Sequence, residues 1–208
     1  MPVSVDHLSP AEREELLRAA RRTLEEYLVN QRTPSIEAKA PRLLEPRGAF
    51  VTLHRGRQLR GCIGTFEATN PLLDTVQRMA IAAATTDPRF PAVTADELSD
   101  LWLEISALTP LRRATADEIE VGVHGIYVTR GYFRGVLLPQ VATEHGWDRQ
   151  TFLEHTCMKA GLPPSAWREP DLRIEIFSAD VFGERDGATS EGDGEDDLPD
   201  EDEGDSEG

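Results

Sequence analysis

This chain predicts an α+β fold, a mainly antiparallel sheet covered by helices, and three observations carry that expectation. Helical apolar stripes occur early, in the middle and late in the sequence. The strand-like runs between them are joined by short turns, as in hairpins. Neither internal repeats nor alternating βα units occur, which argues against a parallel sheet. At 208 residues the chain is long enough for one moderate domain with a real core.

The elements follow in order. Ser9, Pro10 and Glu12 form a capping-box start, after which Leu16, Ala20, Leu24 and Leu28 recur at helical spacing. A proline-bearing stretch from Pro34 to Pro46 leads into AFVTLHRGRQLRGCIG, two strand-like runs around Arg55-Gly56-Arg57 that read as a hairpin. Asn70 and Pro71 open a helix with Leu72, Val76, Met79, Ala80 and Ala83 on one face, which ends near Asp87-Pro88; its small alanines predict close packing. Leu101 to Leu108 alternates as a strand, Thr115 to Glu118 reads as a short helical cap, and HGIYVTR with FRGVLLP supplies another strand pair. Asp148 caps a helix that Gly161 closes. Leu172 to Phe182 reads as one long strand with Ile174, Ile176 and Val181 as core candidates.

Charge separates the chain into two parts. Of the net −16, most belongs to Asp186 to Gly208, which holds 12 acidic and no basic residues. The remainder is nearly balanced. A stretch so poor in large apolar residues cannot offset its ordering entropy by burial, so a folded domain over 1–183 and an acidic disordered tail over 184–208 are expected. Basic residues do not cluster with aromatic ones, which disfavours nucleic acid as a partner. No apolar run approaches membrane-spanning length and no secretory signal precedes the two cysteines, so a cytoplasmic protein with reduced thiols and no membrane partner is expected. No phosphate-cradling loop, dinucleotide fingerprint or closely spaced metal-ligand pair occurs, and no cofactor or metal is expected.

The segment Leu59 to Phe66, LRGCIGTF, holds the first candidate for chemistry. It sets the Cys62 thiol between Gly61 and Gly64 and two residues beyond Arg60. If the segment is extended, Arg60 and Cys62 share one face, where a guanidinium favours thiolate. The glycines leave room for a ligand, a turn or another chain to approach; the plainer reading makes them a bulge or tight packing and the cysteine a small core hydrophobe. Arg89, fixed between Pro88 and Pro91, is a candidate anion clamp, with pairing to Asp87 or Asp96 as the commoner fate.

LRGCIGTF resembles the signature of the AMMECR domain family, known in prokaryotes as AmmeMemoRadiSam system protein A. DPRFPAV (Asp87 to Val93), VGVHGIYV (Val121 to Val128), GVLLPQVATEHGWD (Gly135 to Asp148) and CMKAGLPPSAW (Cys157 to Trp167) resemble that family in the same order, from about Leu16 to Phe182. The resemblance implies a larger lobe formed by both termini, a smaller middle lobe, and a cleft near the cysteine motif. It also implies a Memo-like protein and a radical S-adenosylmethionine enzyme as partners. His124 stands at a motif position that holds a histidine in many members, and Glu144 corresponds to the motif's carboxylate. The candidate catalytic set is therefore Cys62 as thiol, His124 as base or acid and Glu144 as its orienter. Arg60, Gly61, Gly64, Thr65, Arg89 and the Gln140 amide form the candidate ligand-binding set for a small anionic molecule. The competing reading is a non-catalytic binding or adaptor module using the same cleft.

Overall fold

The computed structural model describes residues 7–185. The stretch expected as an acidic tail, 184–208, lies outside the described residues except for Glu184 and Arg185. The Glu184 carboxylate accepts hydrogen bonds from the Arg21 guanidinium (2.5 Å to Nη2) and the Leu103 N–H (2.8 Å), and the Arg185 guanidinium lies over the Trp102 ring.

The first lobe begins with helix α1 (Pro10–Asn30), whose capping box forms as its sequence dictates: Ser9 Oγ accepts from the Glu12 N–H, and Glu12 accepts from the Ser9 N–H. Strands β1 (Ala49–Arg55) and β2 (Gln58–Thr65) form the hairpin. Helix α2 (Leu72–Thr85) crosses behind them, and β3 (Leu101–Leu108) pairs with β1. The chain returns at its end to add β8 (Ala179–Gly183), giving an antiparallel sheet of order β2-β1-β3-β8. One face of this sheet buries Val51, Leu53, Leu103 and Ile105 against Leu16, Leu24, Val76 and Ala80 of the two helices. The other face, with Thr52, His54, Cys62, Trp102 and Glu104, is half-buried.

The second lobe is built from β4 (Arg112–Arg113), β5 (Gly125–Arg130), β6 (Phe133–Leu137) and β7 (Arg173–Phe177), in the order β4-β7-β5-β6. A short helix α3 (Pro139–Glu144) and α4 (Arg149–Lys159) cover one side. Ile126, Val128, Phe152, Leu153, Ile174 and Ile176 form this separate core.

The α+β class is as predicted, and the sheet is two sheets. The segment expected as one long strand breaks at Ser178, which is buried and bonded in both directions to Thr109: the Ser178 N–H donates to Thr109 Oγ1 (2.9 Å) and its carbonyl accepts from the Thr109 N–H (2.8 Å). β7 therefore belongs to one lobe and β8 to the other. Val181 is not a core residue: it is 54% exposed, opposite Ser106 on the uncovered face, while Phe182 takes the core side. No helix among the described residues is long and apolar enough to cross a membrane.

Candidate functional site

β2 is an edge strand, and the register of its hairpin slips between Leu53, opposite Gly61, and His54, opposite Leu59. Arg60 is the extra residue of that bulge, and a bulge re-aims its side chain. The expected Arg60–Cys62 pairing does not form. Arg60 instead makes a two-pronged bond to the Glu97 carboxylate (2.8 and 2.9 Å) and donates to the Pro91 carbonyl (2.9 Å). That guanidinium holds the Glu97 carboxyl down at about 2.

The motif glycines admit the protein itself. Gly61 is buried on the helix side, where a Cβ would overlap the Ala83 carbonyl oxygen, so α2 occupies the space expected for a ligand. Gly64 faces the other way, where a Cβ would overlap the Phe50 ring. Between them, the Cys62 Sγ accepts a hydrogen bond from the Thr52 hydroxyl at 3.3 Å. At the outer edge, its N–H donates to Asp87 Oδ2 (2.8 Å) and its carbonyl accepts from the Arg89 guanidinium (3.3 Å). Arg89 also forks onto Asp87 (2.9 and 2.7 Å), and these bonds hold the Asp87 carboxyl well below the usual carboxylate range. DPRFPAV thus closes the free edge of β2 at Cys62, where an open edge would recruit another strand. Arg89 takes the fate of pairing with Asp87.

His124 sits before β5 in the second lobe. Its Nδ1 accepts from the Glu120 N–H (3.0 Å), Arg112 and Glu118 are its other charged neighbours, and burial lowers its basicity. Glu144 is exposed at the end of α3, and Gln140 is exposed at its start. No described contact joins either His124 or Glu144 to Cys62. The histidine that shares the Cys62 sheet face is His54, two residues along β1 from Thr52 and stacked on Trp102 at 4.0 Å between centroids. Burial outweighs the opposing effect of Glu104 and lowers its basicity too. Among the described residues no group of three histidine, cysteine, aspartate or glutamate side chains is placed to hold a metal.

A cleft of about 720 Å³ lies where the two lobes meet. Gly48, Gly64, Thr65, Phe66 and Glu67 line it from the first lobe, Leu108 to Leu111 from the crossing segment, and Tyr127, Arg134, Val136 and Phe177 from the second. Those last four stand on the face of the second sheet that looks away from its helices. Three rings bridge the lobes edge to face: Phe50 to Phe66 at 5.0 Å and Phe66 to Phe177 at 5.7 Å. Each outer ring lies flush on a strand because a glycine faces it, Gly64 under Phe50 and Gly125 under Phe177.

Of the candidate set, Gly64 and Thr65 line this cleft, while Cys62 stands two residues from Gly64 on the same strand face, about 7 Å along β2. Arg60, Gly61, Arg89, His124, Gln140 and Glu144 are not among its lining residues. Reasoning from sequence misses Tyr127, Arg134 and Phe177, which carry no motif signal beyond strand alternation.

The two thiols differ in access. Cys62 is half-buried, whereas Cys157 is fully buried and burial pushes its thiol up. Treating the folded protein with iodoacetamide and mapping the peptides by mass is expected to show Cys62 modified at least about tenfold faster, with Cys157 reacting only after unfolding.

With this geometry in place, comparison with known proteins adds kinship. The AMMECR1 family model matches residues 17–182. A protein of Methanothermobacter thermautotrophicus is 45% identical over 185 residues, covering 85% of this chain and 96% of the other. The protein MK0488 of Methanopyrus kandleri is 45% identical over 191 residues, covering 86% and 91%. Among solved structures, the crystal structure of the uncharacterized protein PH0010 from Pyrococcus horikoshii is similar, with a TM-score of 0.71 at 40% identity over 85% of this chain and 93% of that one.

Proposed function

The chain belongs to the AMMECR1 family, and from that premise we propose that it is a cytoplasmic binding protein that holds a small molecule in the cleft between its two sheets. The observation that carries this reading is the cleft itself, about 720 Å³ of mostly aromatic and apolar wall reaching Gly64, Thr65 and Phe66 of the motif. Its size is that of a site for a small organic molecule. A binding role is favoured over a thiol catalyst because Arg60 is committed to Glu97 and His124 is engaged with the Glu120 backbone. The family resemblance supports the view that the molecule is passed to or from a Memo-like protein and a radical S-adenosylmethionine enzyme, as in an AmmeMemoRadiSam system.

Thermal-shift screening of a metabolite library tests the binding. A true ligand raises the Tm of the wild type and not that of Val136→Trp, which fills the cleft from β6. A library that never separates the two proteins overturns the reading. Copurification with the two partners under anaerobic conditions tests the pathway. It is expected to survive Cys62→Ser and to be lost when the cleft is filled.

A further inference from the structure

The arginines that sequence reasoning offers as anion clamps are both satisfied within the protein, Arg60 by Glu97 and Arg89 by Asp87. The cation that lines the cleft is another one. Arg134 projects from β6, opposite Thr129 of β5, on the sheet face that forms one wall. It has no side-chain hydrogen bond or ion pair among the described residues. A guanidinium left open beside an apolar wall is suited to an oxyanion, two of whose oxygens it meets with parallel N–H bonds.

The charges around it agree. On the same face, Arg113 stands opposite Glu175, and Glu175 is engaged by Arg173 at 2.6 Å. These three groups sum to one positive charge, to which Arg134 adds another. Across the cleft the one carboxylate among the lining residues is Glu67, exposed at the rim. Beside Arg134 the wall is Val136 and Tyr127, and it continues to Phe177 two strands across the same sheet face, surfaces for a flat apolar body.

We infer that the molecule held in this cleft is an anion with a planar apolar body, its carboxylate- or phosphate-type group on the Arg134 guanidinium and its body against Tyr127 and Phe177. This rests on the binding role proposed above and narrows it to a ligand class. Two fluorescent probes of similar shape test it on the full chain: anilinonaphthalene sulfonate, which is anionic, and phenylnaphthylamine, which is neutral. Arg134→Gln, at an exposed position that the fold does not use, is expected to weaken the sulfonate about tenfold or more and to leave the neutral probe within about twofold. Arg134→Lys restores part of the loss, and Glu67→Gln strengthens the sulfonate. Equal effects of Arg134→Gln on both probes, or none on the sulfonate, overturn the anion assignment while the cleft stands. Undiminished binding of both probes to Val136→Trp overturns the cleft as the site.

Discussion

Gly61→Ala is expected to destabilise the protein by about 3 kcal/mol, the upper range for overpacking a closed core. The added methyl would overlap the Ala83 carbonyl oxygen, and that atom is helix backbone, which cannot rotate aside. Relief requires α2 to lift from β2 as a unit. Gly64→Ala meets the Phe50 ring instead, a side chain that can turn, so its cost is expected to be smaller. It has a second consequence, because a displaced Phe50 loosens the Phe50–Phe66–Phe177 bridge and weakens cleft binding. Gly56→Ala is the control. Gly56 takes φ +59 in the hairpin turn with nothing near its missing side chain, so only backbone strain of about 1 kcal/mol is at stake. Urea unfolding of the three variants gives the order. A Gly61→Ala loss no larger than that of Gly56→Ala would refute the close approach of α2.

Asp87→Ala is expected to cost a similar amount, about 3 kcal/mol. Asp87 is 5% exposed, and its carboxylate accepts from the Cys62 N–H and from the N–H and guanidinium of Arg89. Its removal leaves the Cys62 N–H unsatisfied and takes from Arg89 its carboxylate partner. Asp87→Asn keeps an acceptor for the N–H and loses the charge, so it is expected to fall between. The pH dependence has a definite sign. The folded-state carboxyl is held below its ordinary value near 3.8, so its contribution is complete above about pH 5 and declines as pH falls through that value toward the folded one. The stability gap between wild type and Asp87→Asn, read from urea midpoints, should therefore be wide at pH 7 and narrower at pH 3. A constant gap would mean that Asp87 acts through shape and not charge.

Much of this molecule is legible in near-neighbour patterns. The capping box at Ser9 and Glu12, the turn at Gly56 and the apolar stripe of α2 each depend on residues a few positions apart, and each forms as read. One of the alanines that predict close packing in α2, Ala83, meets Gly61 of β2. The candidate site is less legible. Alternation puts Arg60 beside the thiol, but one unpaired residue in the hairpin register turns it toward Glu97, 37 positions away. Leu172 to Phe182 reads as one strand because both of its halves alternate. Only the paired bonds between Ser178 and Thr109 divide it between sheets, and that division carries Phe177 to the cleft wall.

The residues by themselves determine the α+β class, the helices and hairpins and the kinship carried by LRGCIGTF, because these rest on local propensity and on motifs that need no distant partner. Tertiary structure alone decides which cations are consumed and which is left open. Glu97, brought by folding, neutralises Arg60, Asp87 neutralises Arg89, and the meeting of two sheets places Arg134 at the edge of an apolar wall. The physical reason is that a guanidinium's role is set by the groups within a few ångströms of it, and strand alternation does not specify which distant segments those will be.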